Sequence, residues 1–280
     1  MEKLLILELK FTKMIEKSIS FMMYNVIISM INNTIYKNSE IFKILDPRLS
    51  IIRFIPYDNT TVLLCTNESM MLINIKNGQF TMEFNATDIL YATNDTCFYK
   101  DKKLYYGKNC LLTTSINVTD IHRRNMISSN KDYVYLIKND QIHYYNILTG
   151  QFIVNKSDIN YIGIHITHAG NVISVSDKGM IYCNSDELLE IFHDYKLDIR
   201  ISSYSDMLFI GVPYANNEKG IVYMFIYYEK KYRLKKICKN NGYYTYISLP
   251  NTKHFGSDII IQDKTFTIRD DCNSYLYSIL

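Results

Sequence analysis

The segment NIKNGQF (Asn74 to Phe80) returns seventy-two positions later as NILTGQF (Asn146 to Phe152). Repetition at a fixed interval is the strongest constraint a chain can carry on its own fold, because it means one small unit has been stacked or set around an axis. Each copy ends an apolar run, SMMLINIKNGQF and QIHYYNILTGQF. Each therefore reads as a strand, a tight turn in which glycine supplies a positive φ, and a returning strand. Half of the interval points to a further copy near residue 110, and KKLYYGKNCLLTT (Lys102 to Thr114) lies there.

Further copies lie outward. TIYKNSEIFKI (Thr34 to Ile44) and GMIYCNSDELLEIF (Gly179 to Phe192) share Ile-Tyr-x-Asn-Ser. A longer hairpin, GIVYMFIYYEKKYRLKKI (Gly220 to Ile237), and the terminal SYLYSIL (Ser274 to Leu280) complete the series. The strand centres are Tyr36, Ile73, Tyr105, Tyr144, Tyr182, Tyr223 and Tyr277. Most copies follow another apolar strand, such as TTVLLCT, DYVYLIK, NVISVSD or DMLFIGV. Short strands repeating every 40 or so residues are the pattern of a β-propeller. The expected fold is all-β: a single propeller over residues 1–280 with seven four-stranded blades, the two GQF segments being the same outer hairpin two blades apart. Such a ring must close. LLILELKF sets Leu5, Leu7, Leu9 and Phe11 against Ile6, Glu8 and Lys10, the alternation of a half-buried strand. Residues 4–11 are thus expected to complete the last blade beside 274–280. An amphipathic helix through Leu4, Leu7, Phe11, Met14 and Ile15 stands equally open, so residues 1–22 are either the closing strand or a short helix.

Composition narrows the setting. Apolar residues at 48% argue for a globular chain, and 31 basic against 28 acidic residues give no electrostatic case for nucleic acid or a membrane surface. The 25 tyrosines and the frequent isoleucines suit strands, and the Ile/Asn/Lys/Tyr bias equally fits an AT-rich genome. Cys65, Cys97, Cys110, Cys183, Cys238 and Cys272 are widely scattered, which favours reduced core thiols over three disulfides. Sequons begin at Asn32, Asn59, Asn67, Asn85, Asn94, Asn117 and Asn155 and matter only on secretion. The first apolar run is too short for a secretory leader, and none is long enough for a membrane-spanning helix. The expectation is a cytoplasmic, monomeric propeller. The alternative is a secreted or cell-surface receptor-like propeller held by disulfides.

The sixth unit, MLFIGVPYANNEKGIVYMFIYYEKKYRL, resembles an FG-GAP repeat, the blade type of integrin α-chain propellers. Gly211, Val212 and Pro213 match its Gly-Ala-Pro box; Gly220, Val222, Tyr223 and Phe225 match its later strand. Phe255 and Gly256 match the Phe-Gly that opens the next unit. The resemblance covers residues 205–260 and implies a propeller blade. The Asp-rich calcium loop of the integrin type is missing, so calcium is not implied. The earlier units are similar to generic WD-repeat or quinoprotein-like blades without Trp-Asp, and ten glycines are few for a propeller.

Several constellations could carry chemistry. In YYEKKYRLKKICKNNGYYTY an extended backbone would put Lys231, Arg233 and Lys235 on one face and Tyr232, Leu234 and Lys236 on the other. That arrangement could hold phosphates and stack bases, although lysines also serve to discourage edge pairing. His165 and His168 point to opposite faces of a strand, which favours a structural pair over a zinc site. SVSDKGMIY resembles the Asp-box of sialidase propellers at Asp177 and Gly179, but Val175 and Tyr182 depart from it and a simple turn explains it. No nucleotide-binding or hydrolase motif occurs, and no metal or cofactor is expected. The expected function is a non-catalytic scaffold that binds an unidentified protein through rim loops. Tyr214, Asn216 and Asn217 are the candidate contacts, and their exchange for Ala is expected to remove binding without loss of stability. Lys231, Arg233 and Lys235 are the weaker candidates for phosphate or nucleic acid. A glycosidase-like enzyme is the remaining alternative and requires carboxylates converging in the central channel.

Overall fold

The computed structural model of the chain describes residues 6–279 apart from 17, 24–25, 58–59, 86–88, 90, 93–96, 101, 107–108, 114–125, 131, 168, 192–197, 229–230, 235, 240–241, 245, 250–251 and 263–264. Every regular element among them is a strand, and the sheets form a seven-bladed β-propeller. The N-terminal strand is β1 (Ile6–Ile15). Blade 1 comprises β2 (Ile19–Met23), β3 (Val26–Ile31), β4 (Thr34–Lys37) and β5 (Glu40–Ile44). Blade 2 comprises β6 (Ile51–Pro56), β7 (Thr61–Thr66), β8 (Ser69–Asn74) and β9 (Phe80–Asn85). Blade 3 comprises β10 (Tyr91–Ala92), β11 (Cys97–Lys100), β12 (Lys103–Tyr106) and β13 (Asn109–Thr113). Blade 4 comprises β14 (Ile127–Ser129), β15 (Tyr133–Lys138), β16 (Gln141–Asn146) and β17 (Phe152–Asn155). Blade 5 comprises β18 (Tyr161–Ile166), β19 (Val172–Ser176), β20 (Met180–Cys183) and β21 (Asp186–Glu190). Blade 6 comprises β22 (Arg200–Tyr204), β23 (Met207–Val212), β24 (Ile221–Tyr228) and β25 (Lys231–Leu234). Three short strands follow it, β26 (Lys236–Lys239), β27 (Gly242–Tyr244) and β28 (Tyr246–Ile247). Blade 7 is β29 (Asp258–Gln262), β30 (Thr265–Arg269) and β31 (Ser274–Ile279), with β1 as its fourth strand.

The repeated sequences are turn devices. Asn74 and Asn146 each end a third strand, and their Oδ1 atoms accept the N–H groups of Lys76 at 2.9 Å and Leu148 at 3.0 Å. Their carbonyls accept the N–H groups of Gly78 (2.8 Å) and Gly150 (3.0 Å), which sit at φ 70° and 71°. Only glycine takes that backbone without strain, so the GQF segments coincide turn for turn, two blades apart. Asparagine serves where glycine is scarce. Asn38–Ser39 and Asn184–Ser185 are two-residue hairpin turns with φ of 51° and 74°, and 49° and 79°. Positive φ at both positions matches the twist of the flanking strands, and asparagine visits that region more readily than other side chains. The Oδ1 atoms of Asn38 and Asn184 accept the N–H groups of Ile27 and Val172, both at 2.9 Å, tying each outer turn to the blade's second strand. The ten glycines therefore suffice.

Blades pack face against face. One cluster joins blades 1 and 2 through residues such as Phe21, Ile35, Phe54 and Leu64; others join blades 3 to 4, 4 to 5, 5 to 6 and 6 to 7. Burying these facing surfaces is the main favourable term.

The N-terminal segment is a strand, so the helical alternative is excluded. β1 runs antiparallel to β31 from Leu9↔Ile279 to Ile15↔Ser274. The expected register needs correction. Of Leu5, Leu7 and Leu9, only Leu9 pairs with the C-terminal strand; Leu7 pairs with Ile237 of β26, and Leu5 lies outside the described residues. Phe11 is 52% exposed and lies edge-on to Tyr277 at 5.5 Å. The next strand, β2, is already the innermost strand of blade 1. A second lock holds β1: after β25 the chain crosses to blade 7, where β26 pairs parallel to β1, then returns through β27 to β28, which pairs with β24. β1 is thus held on both edges. Buried serines seal the joint to blade 1, with Ser274 Oγ donating to the Ser18 carbonyl at 2.8 Å and accepting the Ser20 N–H at 3.2 Å.

Candidate functional site

Among the described residues, the turns between second and third strands of blades 1, 2, 4, 5, 6 and 7 and the links 45–50 and 156–160 lie on one face of the disc, here the upper face. The loop 213–220 joins β23 to β24 on that face, while the turn from β24 to β25 lies at the opposite end of β24. Pro213 and Ala215 are buried, so the loop is anchored at its base. Its tip, Asn216, Asn217 and Glu218, is exposed and holds φ of 55°, 56° and 63° in succession. Side chains in this left-handed region cost roughly 1 kcal/mol or more each, least for asparagine. Neighbouring bonds impose the shape: His254 N–H donates to the Glu218 carbonyl at 2.8 Å, and Phe255 N–H and Thr252 Oγ1 donate to the Lys219 carbonyl, both at 3.0 Å. The residues that carry the FG-GAP resemblance meet here. A Cβ on Gly220 or Gly211 would overlap the backbone of Phe255 or Gly256, respectively. Glu218→Gly should relieve one strained position and stabilise the protein by about 1 kcal/mol, read as a rise in urea midpoint; an unchanged or lower midpoint would show that the tip relaxes in solution.

From the loop a strip of interactions leads across blade 7 to blade 1. The Tyr214 ring lies 4.3 Å from that of His254, whose Nδ1 is 2.9 Å from both carboxylate oxygens of Asp271. Asp271 sits in the β30–β31 turn, which Asp270 organises by accepting the N–H groups of Cys272 (2.8 Å) and Asn273 (2.6 Å) and the Tyr275 hydroxyl (2.7 Å). Burial, reinforced by that bond to Asp270, pushes the Tyr275 hydroxyl up to about 12. Asp271 and Cys272 then form one wall of a cavity of about 440 Å³. Arg269 shares this wall; Ile19, Met30 and Ile51 give an apolar side; Ser18, Asn32 and Asn33 complete it. That volume falls in the usual range for ligand pockets, about 300–1,000 Å³.

The predicted residues fare differently. Tyr214, Asn216 and Asn217 do share the loop, but the Ala exchange cannot be neutral. Tyr214 is half-buried on His254, and Ala at 216 or 217 would have to hold a left-handed backbone. Lys231 and Arg233 lie on β25, and Tyr232 between them is buried; Lys235 lies outside the described residues. The basic run is not one strand, because Lys236 belongs to β26, against Ile6 of β1. His254, Asp271 and the cavity were missed. Their one local signal is the Asp-Asp-Cys-Asn turn at 270–273.

Elsewhere the chemistry is sparse. The seven innermost strands, β2, β6, β10, β14, β18, β22 and β29, carry a single carboxylate, Asp258, which pairs with Arg269 at 3.6 Å. Among the described residues no group of three His, Cys, Asp or Glu could hold a metal; His168 lies outside them, and His165 shares a hydrogen bond with Ser203 Oγ at 2.8 Å. Asp177 and Gly179 form a plain turn between β19 and β20. Cys65, Cys110, Cys183 and Cys272 are free thiols, so the three-disulfide framework is not formed, and burial pushes Cys65 and Cys183 up to about 12 and about 11. Among the described residues no helix is long and apolar enough to cross a membrane.

His165 makes a pH prediction. Burial first, and the positive charge of Arg53 second, push it from 6.5 down to about 4. Above pH 6.5 folded and unfolded chains both hold it neutral. Between 6.5 and about 4 only the unfolded chain gains the proton, so stability falls as pH falls, by roughly 3 kcal/mol in all. Below about 4 the loss is complete. His165→Gln should flatten this part of the pH profile in urea unfolding, and an unaltered slope would contradict the assignment.

No protein-family model and no curated protein matches the chain. Solved structures do match in fold. One chain of a mitotic checkpoint complex aligns at TM-score 0.60 and 8% identity, covering 96% of this chain and 93% of that one. YCF48 bound to D1 peptide aligns at 0.58 and 10%, covering 98% and 95%. A catalytically inactive virginiamycin B lyase from Staphylococcus aureus with quinupristin aligns at 0.58 and 13%, covering 96% and 99%. Against PorZ of Porphyromonas gingivalis, the chain spans only 36% of that protein's length. At these identities the likeness is one of fold.

Proposed function

We propose that this protein is a non-catalytic scaffold of the cytoplasm that binds a protein partner on its upper face, centred on loop 213–220. The observation that carries this reading is the strained tip Asn216–Asn217–Glu218, exposed to solvent yet clamped by bonds from His254, Phe255 and Thr252. Strain held by its surroundings, at a tip that adds nothing to the core, is characteristic of recognition loops. The four free thiols support a reducing compartment. The test replaces Asn216 and Asn217 with Gly, which keeps the left-handed backbone and removes both side chains. Partner recovery in affinity capture from the source cells should fall at least tenfold, as expected when central contacts are lost, with the melting temperature unchanged or slightly raised as the left-handed strain is relieved. Equal recovery by variant and parent would remove this loop from the binding face.

A further inference from the structure

We infer that the cavity of about 440 Å³ where blades 7, 1 and 2 meet binds a free amino acid with an aliphatic or thioether side chain, taken up as its zwitterion. This site is separate from loop 213–220 and does not depend on partner binding there. The observation that points to a ligand is the state of Arg269. Its side chain is only 21% exposed on the cavity wall, yet its guanidinium donates no hydrogen bond to any described residue. Asp258 approaches it only to 3.6 Å, an ion pair beyond hydrogen-bond distance. Its Nε is buried without an acceptor as well. Half-buried guanidinium groups are normally satisfied, and the acceptor that fits their fork is a planar carboxylate.

Charge decides the ligand class. Asp271 lies two residues from Arg269 on the same wall, with its side chain 48% exposed, and among the described residues its carboxylate receives only the ring N–H of His254. Asp270, between them, is occupied by the N–H groups of Cys272 and Asn273 and by the Tyr275 hydroxyl. With Asp258 beside Arg269, two carboxylates stand against one guanidinium, so a simple anion would meet net repulsion. A simple amine would satisfy Asp271 but leave the guanidinium donors unmade. A zwitterion answers both, its carboxylate on Arg269 and its ammonium on Asp271, each through charge-assisted bonds. The third group of an amino acid, its side chain, then meets Ile19, Met30 and Ile51 on the apolar side. The facing turn is already held in place: Asn33 Nδ2 donates to the carbonyls of Asp46 at 3.0 Å and Leu49 at 2.8 Å, so binding orders little more of the wall.

The test titrates the full chain with L-leucine, L-isoleucine and L-methionine by isothermal calorimetry. At least one should bind with a Kd below about 1 mM. For the tightest of the three, the α-amide, which lacks the carboxylate, and the N-acetyl derivative, which lacks the ammonium, should each bind at least tenfold more weakly. Arg269→Met and Asp271→Asn should each weaken the unmodified amino acid by at least the same factor. Saturating amino acid should also slow alkylation of the cavity thiol Cys272 by iodoacetamide in the unaltered protein, a readout that holds even if Arg269→Met fails to fold. No binding by any of the three, equal binding by either single-charge analogue, unchanged affinity in Asp271→Asn, or unchanged alkylation of Cys272 would overturn the inference. Partner capture through Asn216 and Asn217 is read in a separate experiment, so either result can fail without the other.

Discussion

A protein lacking residues 1–12 is expected to lose its cooperative unfolding transition and on the order of 5 kcal/mol, comparable with the whole net stability of many domains. The cause lies in where β1 sits. It is inserted between β31 and β26, so its removal exposes one sheet edge on each side and leaves blade 7 with three strands. The joint between blades 7 and 1 would then rest on the buried Ser18, Ser20 and Ser274 contacts and the apolar residues around them. A synthetic peptide of residues 1–15 added in trans should restore part of the loss by occupying the same slot. The measurement is urea unfolding followed by far-UV circular dichroism. An unchanged midpoint after truncation would mean that the ring does not depend on its N-terminal strand.

The second large effect is expected at the joint between blades 6 and 7. Gly211→Val and Gly220→Val should each cost at least about 3 kcal/mol, because the new side chain would occupy the space of main chain rather than of a side chain that can turn aside. Gly211 lies against the backbone of Gly256, and Gly220, at φ 83°, against that of Phe255. Gly170→Ala is the matched control. It also has a positive φ, 81°, but nothing lies within 4 Å, so its cost should stay near 1 kcal/mol. Gly211 is extended strand backbone, so a loss there reports close approach alone, and equal losses at Gly220 and Gly170 would show that backbone strain, not close approach, decides the effect at Gly220.

These positions show what a sequence can and cannot disclose. The NIKNGQF and NILTGQF turns were legible because their chemistry is local: an Asn side chain two residues from the N–H it accepts, and a glycine at positive φ. The Asn-Ser turns were legible as a motif, though not as the substitute for glycine that they are. The register of β1 was hidden, because its pairing with Lys236–Cys238 depends on a segment more than two hundred residues away. The break in the basic run at 235 was hidden for the same reason: β26 leaves blade 6 to reach β1. His254 and Asp271 are seventeen residues apart and meet only because the blade 6–7 link and the β30–β31 turn share one face. No local pattern encodes such a meeting. Tyr214, Asn216 and Asn217 were named from loop length alone, and the left-handed backbone that makes Ala a poor probe there was invisible.

The most direct test of an upper binding face is site-specific photo-crosslinking in the source cells. A photoreactive amino acid would be placed singly at Lys219 and Lys253 on the upper face, and at Lys76 and Leu148 in outer turns of blades 2 and 4 on the opposite face. All four positions are exposed, so accessibility does not bias the comparison. A discrete crosslinked species should form from Lys219 and Lys253 and be absent from Lys76 and Leu148. Crosslinks from Lys76 and Leu148 alone, or from none of the four, would contradict the account.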